Sequence, residues 1–230
     1  MKNILVIILL GIIGYYSFVR IQEYPFGSDK MEVGRHYLNE VLEETGSANT
    51  VTAIVVSYRG FDTLGEVTVL FLAATGLGTI LFDKRRRKRY RQQASPIVKR
   101  AASFFYPIII LFGVYVFLHG HLTPGGGFQG GAIIATGMLM MFMAHSHFEA
   151  NHNVLMWIES LAGLSFVSIG IFGLVYGGSF LQNFLPLGTP NQLLSAGVIP
   201  LIYAAVGFKV GAELTGVLDT LLKTLHEEEK

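Results

Sequence analysis

Hydrophobic positions along this chain fall into six long stretches that carry few charges and are separated by polar segments. The stretches cover residues 4–19, 62–82, 103–118, 130–144, 154–176 and 193–214. A helix crosses the roughly 30 Å hydrocarbon core of a bilayer with about 20 apolar residues, because it rises about 1.5 Å per residue. The first, third and fourth stretches are short for this task, so neighbouring protein should cover their ends. The pattern predicts an all-α, polytopic integral membrane protein with about six transmembrane helices.

The distribution of charge predicts the orientation of these helices. Nine of the 17 lysines and arginines lie in residues 83–100 together with a single acid, whereas residues 20–48 carry three bases and six acids. Cytoplasmic loops are enriched in lysine and arginine, so the basic linker and both termini are predicted on the cytoplasmic side. A nucleic-acid patch is disfavoured, because a basic run between two membrane helices is typical of contact with anionic headgroups. Residues 15–20 offer no small-residue cleavage site, which favours an uncleaved anchor over a signal peptide.

Composition narrows the possible functions. Of the 230 residues, 51% are hydrophobic and 14% are charged, and cysteine is absent, whereas a soluble domain is about a quarter charged. Absence of cysteine excludes a disulfide scaffold, thiolate catalysis, cysteine-bound zinc and a protein-ligated iron–sulfur cluster. The histidines of residues 145–152 have only Glu149 as a further ligand nearby, so metal binding there is disfavoured. We expect no catalysis, metal or cofactor in this chain, and any iron–sulfur cluster or flavin on partner subunits.

The predicted outer loop contains two amphipathic segments. One helix is expected to be capped by Ser28 or Asp29 and to end at Gly46. Its apolar face comprises Met31, Leu38, Val41 and Leu42. A second short helix follows, with helical spacing at Val51, Ile54, Val55 and Tyr58. Both are expected to lie flat on the outer surface.

Acidic residues stand where the second membrane stretch begins. Asp62 and Glu66 are ionisable groups at the membrane boundary, where such groups are costly and usually partnered. Thr63 and Glu66 have the spacing of a capping box, which gives them a structural explanation. A role in ion relay or at a subunit interface is compatible with capping, and both interpretations stay open.

A glycine-rich loop joins the third and fourth stretches on the predicted outer face. Its candidate residues are His119, His121, Pro124, Gly125, Gly126, Gly127, Phe128, Gln129 and Gly130. Glycine permits close backbone approach, so the loop is expected to press against a partner or to enter the membrane. Nucleotide binding is disfavoured, because the lysine and hydroxyl residue of a phosphate-binding loop are missing. The histidines could bind a metal or shuttle protons, although hydrogen bonding at an interface is the favoured interpretation.

Two charged residues interrupt the sixth stretch. Lys209 and Glu213 are four positions apart and share a helix face. Placed near the cytoplasmic end, the lysine could extend its ammonium to the interface. Alternatively, the pair faces protein or water and serves ion conduction or subunit contact. Pro200 is expected to kink this helix in its middle, and Glu159 is expected to be a first-turn acid of the fifth helix.

Two motifs resemble known families. Residues 59–66, Arg-Gly-Phe-Asp-Thr-Leu-Gly-Glu, with residues 49–55 before them, resemble the C-terminal region of the large Mrp antiporter subunit and the equivalent MbhE-like subunit of archaeal membrane-bound hydrogenases. Residues 122–131 resemble the MnhB family, found in Mrp multisubunit Na⁺/H⁺ antiporters. Together the resemblances cover most of residues 45–220. They indicate a two-span MbhE-like module at 1–82, the basic linker at 83–100 and a four-span MnhB-like module at 101–230.

The resemblance implies a subunit of a complex in the cell membrane that exchanges Na⁺ for H⁺. Its partners would be other Mrp-type membrane subunits and hydrophilic redox subunits, with lipid around it and no nucleic acid. The joined arrangement is similar to that of a respiratory complex such as a membrane-bound hydrogenase or sulfane sulfur reductase. A free-standing Mrp antiporter and a mainly structural assembly role are the alternatives.

The resemblance also ranks the candidate residues of the ion path. The main proton-carrying residues of such complexes lie on larger subunits, so this chain would contribute to the sodium path and to contacts between modules. Asp62 and Glu66 are the first candidates, and the weaker ones are His119, His121, Lys209 and Glu213.

Overall fold

The computed structural model describes residues 2–23, 32–81 and 94–224, which contain helices and no β-strand. The helices are α1 (Lys2–Glu23), α2 (Glu32–Thr45), α3 (Thr50–Ala53), α4 (Gly60–Ile80), α5 (Pro96–Leu118), α6 (Gly127–Ala144), α7 (His152–Phe172) and α8 (Ile199–Thr224). Short π-helical segments, Ile54–Tyr58 and Gly173–Gly177, follow α3 and α7. The predicted all-α class is confirmed.

Five of the described helices are long and apolar enough to span a bilayer, namely α4, α5, α6, α7 with its π-helical extension, and α8. The predicted first stretch is also helical, as α1, and its apolar part Val6–Gln22 is shorter. The chain is therefore a multi-pass membrane protein. Residues 83–93 of the basic linker lie outside the described residues, as do the predicted cap at Ser28 or Asp29 and the apolar Met31.

The chain divides into two compact units, Met1–His36 and Tyr37–Lys230. The first unit contains α1, whose apolar side chains, such as Ile7 and Leu10, are exposed. The second unit contains α3 to α8 and most of α2, which ends at Thr45 as predicted, just before Gly46. A φ of +67° at Gly46 places it in the left-handed region that favours glycine. All candidate site residues lie in the second unit.

α8 is the inner helix of the second unit. It packs against α4, α5, α6 and α7, and 61% of its membrane span is buried, compared with 11% of the α4 span. Its buried apolar side chains include Ile199, Ile202, Val206 and Val210. Because protein surrounds most of this helix, charged residues on it can lie at membrane depth without facing lipid.

Glycines let α6 approach both α5 and α8 closely. A Cβ atom added at Gly130 would lie 2.6 Å from the carbonyl oxygen of Gly113 on α5, and one at Gly131 would lie 2.8 Å from that of Gly207 on α8. Lipid supplies no hydrophobic force between helices, so small residues stabilise membrane interfaces by allowing tight van der Waals contact. The loop residues before α6 are thereby held next to α8.

The predicted start of the third membrane helix is wrong. α5 begins at Pro96, where the Ser95 side chain accepts a hydrogen bond from the backbone of Val98, and it extends for 23 residues. It is therefore long enough to cross the bilayer without help at its ends. Lys99 and Arg100 concealed this start, because long basic side chains can begin a membrane helix and still reach the interface.

The predicted start of the last helix is also wrong, since α8 begins at Ile199 and continues to Thr224. Asn183 holds the preceding residues in a loop: its amide donates to the carbonyl of Ala196 and accepts from the backbone N–H of Val198. Pro200 is consequently the second residue of the helix, where the backbone nitrogen has no helical partner to lose. The expected kink at mid-helix is therefore wrong.

Gly131→Val should weaken the contact between α6 and α8, because its side chain would collide with the backbone of Gly207 and Gly211. Overpacking of a tight interface costs about 1–3 kcal/mol, so the thermal unfolding midpoint of the full chain in detergent should fall. Gly76→Val is the matched control, since a Cβ at Gly76 would meet no atom of the described residues within 4 Å. Equal midpoints for the two variants would contradict the close contact.

Candidate functional site

Three charged side chains meet between α7 and α8 and form what we call the ion cluster: Lys209, Glu213 and Glu159. The Nζ atom of Lys209 lies 3.3 Å from Oε2 of Glu213 and 3.6 Å from Oε1 of Glu159. The side chains of Lys209 and Glu213 are only 9% and 1% exposed. Nζ also lies 5.0 Å from the centre of the Phe71 ring, so α4 contributes an aromatic face to the same ammonium.

The charges of the ion cluster do not balance within the described part of the chain. One ammonium lies between two carboxylates, and neither oxygen of Glu213 has a well-directed hydrogen bond from any described residue. A buried carboxylate without full pairing is costly, and uptake of a positive charge relieves the cost. With Lys209 shared, the two acids can hold one further proton or one monovalent cation.

Two expectations about these residues are wrong. Lys209 lies in the interior of α8 and is buried, so its ammonium does not extend to the interface. Glu159 lies beyond the first turn of α7 and faces Lys209 instead of capping the helix. Sequence spacing gave no signal for this contact, because it joins two helices that are remote along the chain.

A cavity of about 540 Å³ lies beside Glu213, between α4, α7 and α8, and we call it the polar cavity. Its walls come from the second half of α4, the first part of α7 and the second half of α8. The polar side chains that line it are Thr75, Thr79, His152, Glu159, Ser160, Glu213 and Thr220. Glu213 is thus buried from lipid while the cavity lies directly at its side.

Asp62 and Glu66 lie apart from the ion cluster on the first turns of α4. Asp62 pairs with Arg59 at 2.5 Å, and both side chains are more than half exposed. Glu66 is also exposed, and it lies within electrostatic range of the Tyr203 hydroxyl. The proposed capping box is wrong, because α4 begins at Gly60 and the Thr63 hydroxyl instead donates to the carbonyl of Val55 at 2.6 Å.

Residues 47–52 hold the glycine-rich loop from one side, an arrangement we call the loop clamp. The Asn49 side chain donates to the carbonyls of Gly120 at 2.9 Å and Thr123 at 3.0 Å. The Thr52 hydroxyl donates to the same Gly120 carbonyl at 2.5 Å and accepts from the Tyr203 hydroxyl at 3.1 Å. The loop therefore packs against another segment of its own chain, and the hydrogen bonds continue to α8. Sequence reasoning missed Asn49, Thr52 and Tyr203, since their partners are distant along the chain.

Close packing accounts for the glycines of this loop. A Cβ at Gly125 would lie 2.6 Å from the carbonyl oxygen of Val116, and one at Gly127 would lie 2.6 Å from Cβ of Val206. At Gly126, φ is +157° and an added Cβ would collide with the Gln129 side chain. Other predicted loop residues, Pro124 and Gln129, are exposed, whereas Phe128 packs against the apolar core. Gly130 belongs to α6.

The two loop histidines have different surroundings. His121 is completely buried, its Nε2 atom lies 3.4 Å from the carbonyl oxygen of Gln192, and its Nδ1 atom has no partner among the described residues. Burial lowers the pKa of His121, while the hydrogen bond to Gln192 opposes the shift. His119 stacks on Tyr115 with ring centres 4.2 Å apart. Across residues 2–23, 32–81 and 94–224, no three histidine or acidic side chains are grouped to hold a metal ion.

Apolar spans around a buried ion cluster define the class of this protein as a polytopic membrane subunit. Residues 97–216 match a family model described as a domain related to the MnhB subunit of Na⁺/H⁺ antiporters. Residues 2–100 match a second model, MbhE, described as the E component of MBH. The chain belongs to the MnhB-related family, and the resemblance of both motifs is confirmed.

Individual relatives come from archaea and bacteria. An uncharacterized protein of Methanocaldococcus jannaschii is 32% identical over 194 residues, which cover 73% of this chain and 74% of the relative. The B component of the Na⁺/H⁺ antiporter of Bacillus subtilis is 28% identical over 150 residues, which cover 58% of this chain and 94% of the relative. The second relative matches a smaller part of this chain but is covered almost completely.

Two solved structures share the fold. One is a chain of the membrane-bound sulfane sulfur reductase, an archaeal respiratory membrane complex, with 46% identity, a TM-score of 0.79, and coverage of 96% of this chain and 98% of that chain. The other belongs to the Mrp complex from Dietzia sp. DQ12-45-1b, with a TM-score of 0.72. Its 22% identity shows the fold alone, over 100% of this chain and 27% of that chain. The chain is thus a membrane subunit of an Mrp-type antiporter module.

Thr52→Val should destabilise the loop clamp, because it removes the hydroxyl that links Tyr203 to Gly120 while keeping a branched side chain. Leaving buried polar partners unsatisfied costs about 1–3 kcal/mol, so the unfolding midpoint of the full chain in detergent should fall. Thr68→Val is the control, because the exposed Thr68 hydroxyl donates to Leu64 in its own helix. An unchanged midpoint in Thr52→Val would exclude a stabilising role of the hydrogen-bond chain.

Acid should destabilise the fold through His121. Its lowered pKa keeps the imidazole neutral in the folded state, whereas an unfolded histidine binds a proton near pH 6.5. The free energy of unfolding should therefore fall as the pH drops below about 6.5. His121→Gln should reduce this pH dependence in thermal unfolding experiments, and His147→Gln, at an exposed position, should leave it unchanged. Identical pH profiles for the two variants would refute the assignment.

Proposed function

We propose that this chain is a non-catalytic membrane subunit of a respiratory complex of the membrane-bound sulfane sulfur reductase kind, in which an Mrp-type module exchanges Na⁺ for H⁺. The 46% identity and near-complete mutual coverage with a chain of that complex support this assignment. Other Mrp-type membrane subunits would surround the chain. Iron–sulfur clusters or flavin would reside on hydrophilic partner subunits, and electron transfer there would drive the exchange.

The ion cluster is the observation that carries the proposed role in ion movement. Its two acids share Lys209 and retain room for one additional positive charge, which a proton or a sodium ion can supply. Because the two ions compete for the same carboxylate, binding of one releases the other. This competition at a single site is the chemical requirement for exchanging Na⁺ against H⁺.

The position of the ion cluster supports a second part of the role, which is contact between modules. Phe71 on α4 lies within the region that matches MbhE, whereas Glu159, Lys209 and Glu213 lie within the region that matches MnhB. Movement of α4 relative to α7 and α8 would change the surroundings of the ammonium. The site is therefore placed where one module can influence ion binding in the other.

A mainly structural role is the second candidate function, and the loop clamp favours it. Its hydrogen bonds fix the glycine-rich loop and leave large apolar surfaces on α5, such as Phe104 and Leu111, available for neighbouring helices. A free-standing Mrp antiporter is the alternative setting, because the fold is shared with a chain of an Mrp complex. A functional test of the ion cluster in the assembled complex separates ion movement from assembly.

Glu213→Gln should abolish Na⁺-dependent transport by the intact complex in membrane vesicles. The substitution leaves Lys209 paired with Glu159, so the ion cluster becomes neutral and no longer attracts an additional cation. The complex should still assemble with normal subunit stoichiometry, because glutamine occupies almost the same volume. Glu149→Gln, at an exposed position outside the cluster, is the matched control and should transport normally.

The same experiment ranks the acids that the sequence nominated. Glu66→Gln should reduce transport less than Glu213→Gln, because Glu66 lies exposed and apart from the ion cluster. Normal transport by a correctly assembled Glu213→Gln complex would refute a direct role in ion movement and leave the structural role. Loss of assembly in that variant would likewise favour the structural role.

A further inference from the structure

We propose that the polar cavity is a water-filled passage through which a monovalent cation reaches Glu213 from the cytoplasmic end, with the ion pair of Asp219 and Lys223 at its mouth. This inference rests on the proposed function and extends it by assigning the direction and route of access. It also assigns a role to residues of α4 and α8 that lie outside the ion cluster.

The polar cavity continues into a second space further along α8. This smaller cavity has a volume of about 200 Å³ and is lined in part by His152, Asp219 and Lys223. The two spaces share His152, Leu155, Gly216 and Thr220 as lining residues, so they are contiguous. A helix rises about 1.5 Å per residue, so the path from Glu213 to Lys223 covers roughly 15 Å, about half the hydrocarbon thickness.

Side-chain oxygens line the route. The hydroxyls of Thr79 and Thr220 donate to carbonyls of their own helices, Thr75 and Gly216 respectively, so their lone pairs are available to accept or to coordinate. Oxygen atoms are the ligands that hard cations prefer. Glu213 ends the row with a carboxylate that is 1% exposed and has no well-directed hydrogen bond from the described residues. A buried, unpartnered carboxylate beside a cavity is a site for a cation or a proton.

The opposite direction along α8 is closed. Beyond Lys209 the helix presents Val206 and Ile202, each 1% exposed, in the apolar core. Tyr203 is fixed there by its hydrogen bond to Thr52 of the loop clamp. Water and ions therefore have access to the cluster from one end of the bundle only.

The open end is the cytoplasmic end. The passage is lined by the C-terminal part of α4, the N-terminal part of α7 and the C-terminal part of α8, which all meet at one side. Residues 83–100, which follow α4 in the sequence and carry nine basic residues, are expected in the cytoplasm. The side of the cavity between α4 and α7, where Thr75 and Ser160 are exposed, is closed by a neighbouring subunit in the complex, since polar groups avoid lipid.

The mouth carries fixed charges of both signs. Nζ of Lys223 lies 2.6 Å from Oδ2 of Asp219, and both side chains are partly buried beside the smaller cavity. Asp219 attracts cations towards the mouth, and Lys223 offsets that attraction. Removing either charge should therefore change the rate at which a cation enters, in opposite directions.

Thiol labelling of the intact complex tests the passage independently of transport. The chain has no cysteine, so Thr75→Cys and Gly216→Cys each introduce a single thiol into it, and a Cβ at Gly216 would meet no described atom within 4 Å. The probe is a membrane-impermeant, trimethylammonium-bearing methanethiosulfonate, added to vesicles from either side, and labelling is read on this chain after separation of the subunits. Ala73→Cys is the control, because Ala73 faces away from the cavity on the same helix.

Both cavity thiols should react from the cytoplasmic side at least ~10-fold faster than the thiol of Ala73→Cys, because an apolar environment lowers the reactive thiolate fraction tenfold for each unit by which it raises the thiol pKa. In the Gly216→Cys background, Asp219→Asn should slow the cationic reagent and Lys223→Gln should accelerate it, with little change for a neutral reagent. Labelling no faster than in Ala73→Cys, or labelling only from the outer side, would overturn the passage.

The outcomes separate this inference from the proposed function. Fast cytoplasmic labelling combined with normal transport in Glu213→Gln would support the passage and refute ion movement through the cluster. Slow labelling combined with lost transport in Glu213→Gln would refute the passage and leave the ion cluster in place.

Discussion

Inside the helix bundle, one ammonium lies between two carboxylates, and this unequal number of charges constrains the structure around it. Lys209 and Glu213 are nearly inaccessible, so protein has to shield α8 from lipid. Glycine contacts between α6 and its neighbours provide much of that shielding by bringing backbones close together. The same imbalance requires access to a further positive charge, and the cavity beside Glu213 meets that requirement. Dense packing on one side of α8 and open space on the other thus follow from a single electrostatic condition.

Membrane spans could be predicted from sequence because the length of an apolar run is a local property. Their ends could not, where local composition and tertiary contacts disagree. Residues 193–198 are mostly apolar, yet they form a loop because Asn183 binds Ala196 and Val198, and because Ala196 adopts a φ of +65°. Lys99 had the opposite effect, since a basic residue belongs to a helix that composition would start later. These hydrogen bonds are invisible in a hydropathy pattern.

The candidate site was predictable only in part, for a similar reason. Lys209 and Glu213 stand out as charges in an apolar run, and their position in one helix follows from their spacing. Glu159 completes the cluster through a contact between α7 and α8, and no periodicity encodes that pairing. Thr63 has the right spacing for a cap, but the π-helical segment before α4 provides the carbonyl of Val55 as its partner. Spacing identifies residues on one helix face, whereas function here depends on which helices meet.

The two parts of the chain complete the site for each other. α4 supplies one wall of the polar cavity and places Phe71 over the ammonium, while α7 and α8 supply the charges. At the other end, Thr52 fixes Tyr203, which lies on the same helix as Lys209 and roughly 9 Å from it along the helix axis. Because α8 is a continuous helix, holding Tyr203 also sets the height of Lys209 relative to Glu159. The loop clamp therefore determines the geometry of an ion cluster that it does not touch.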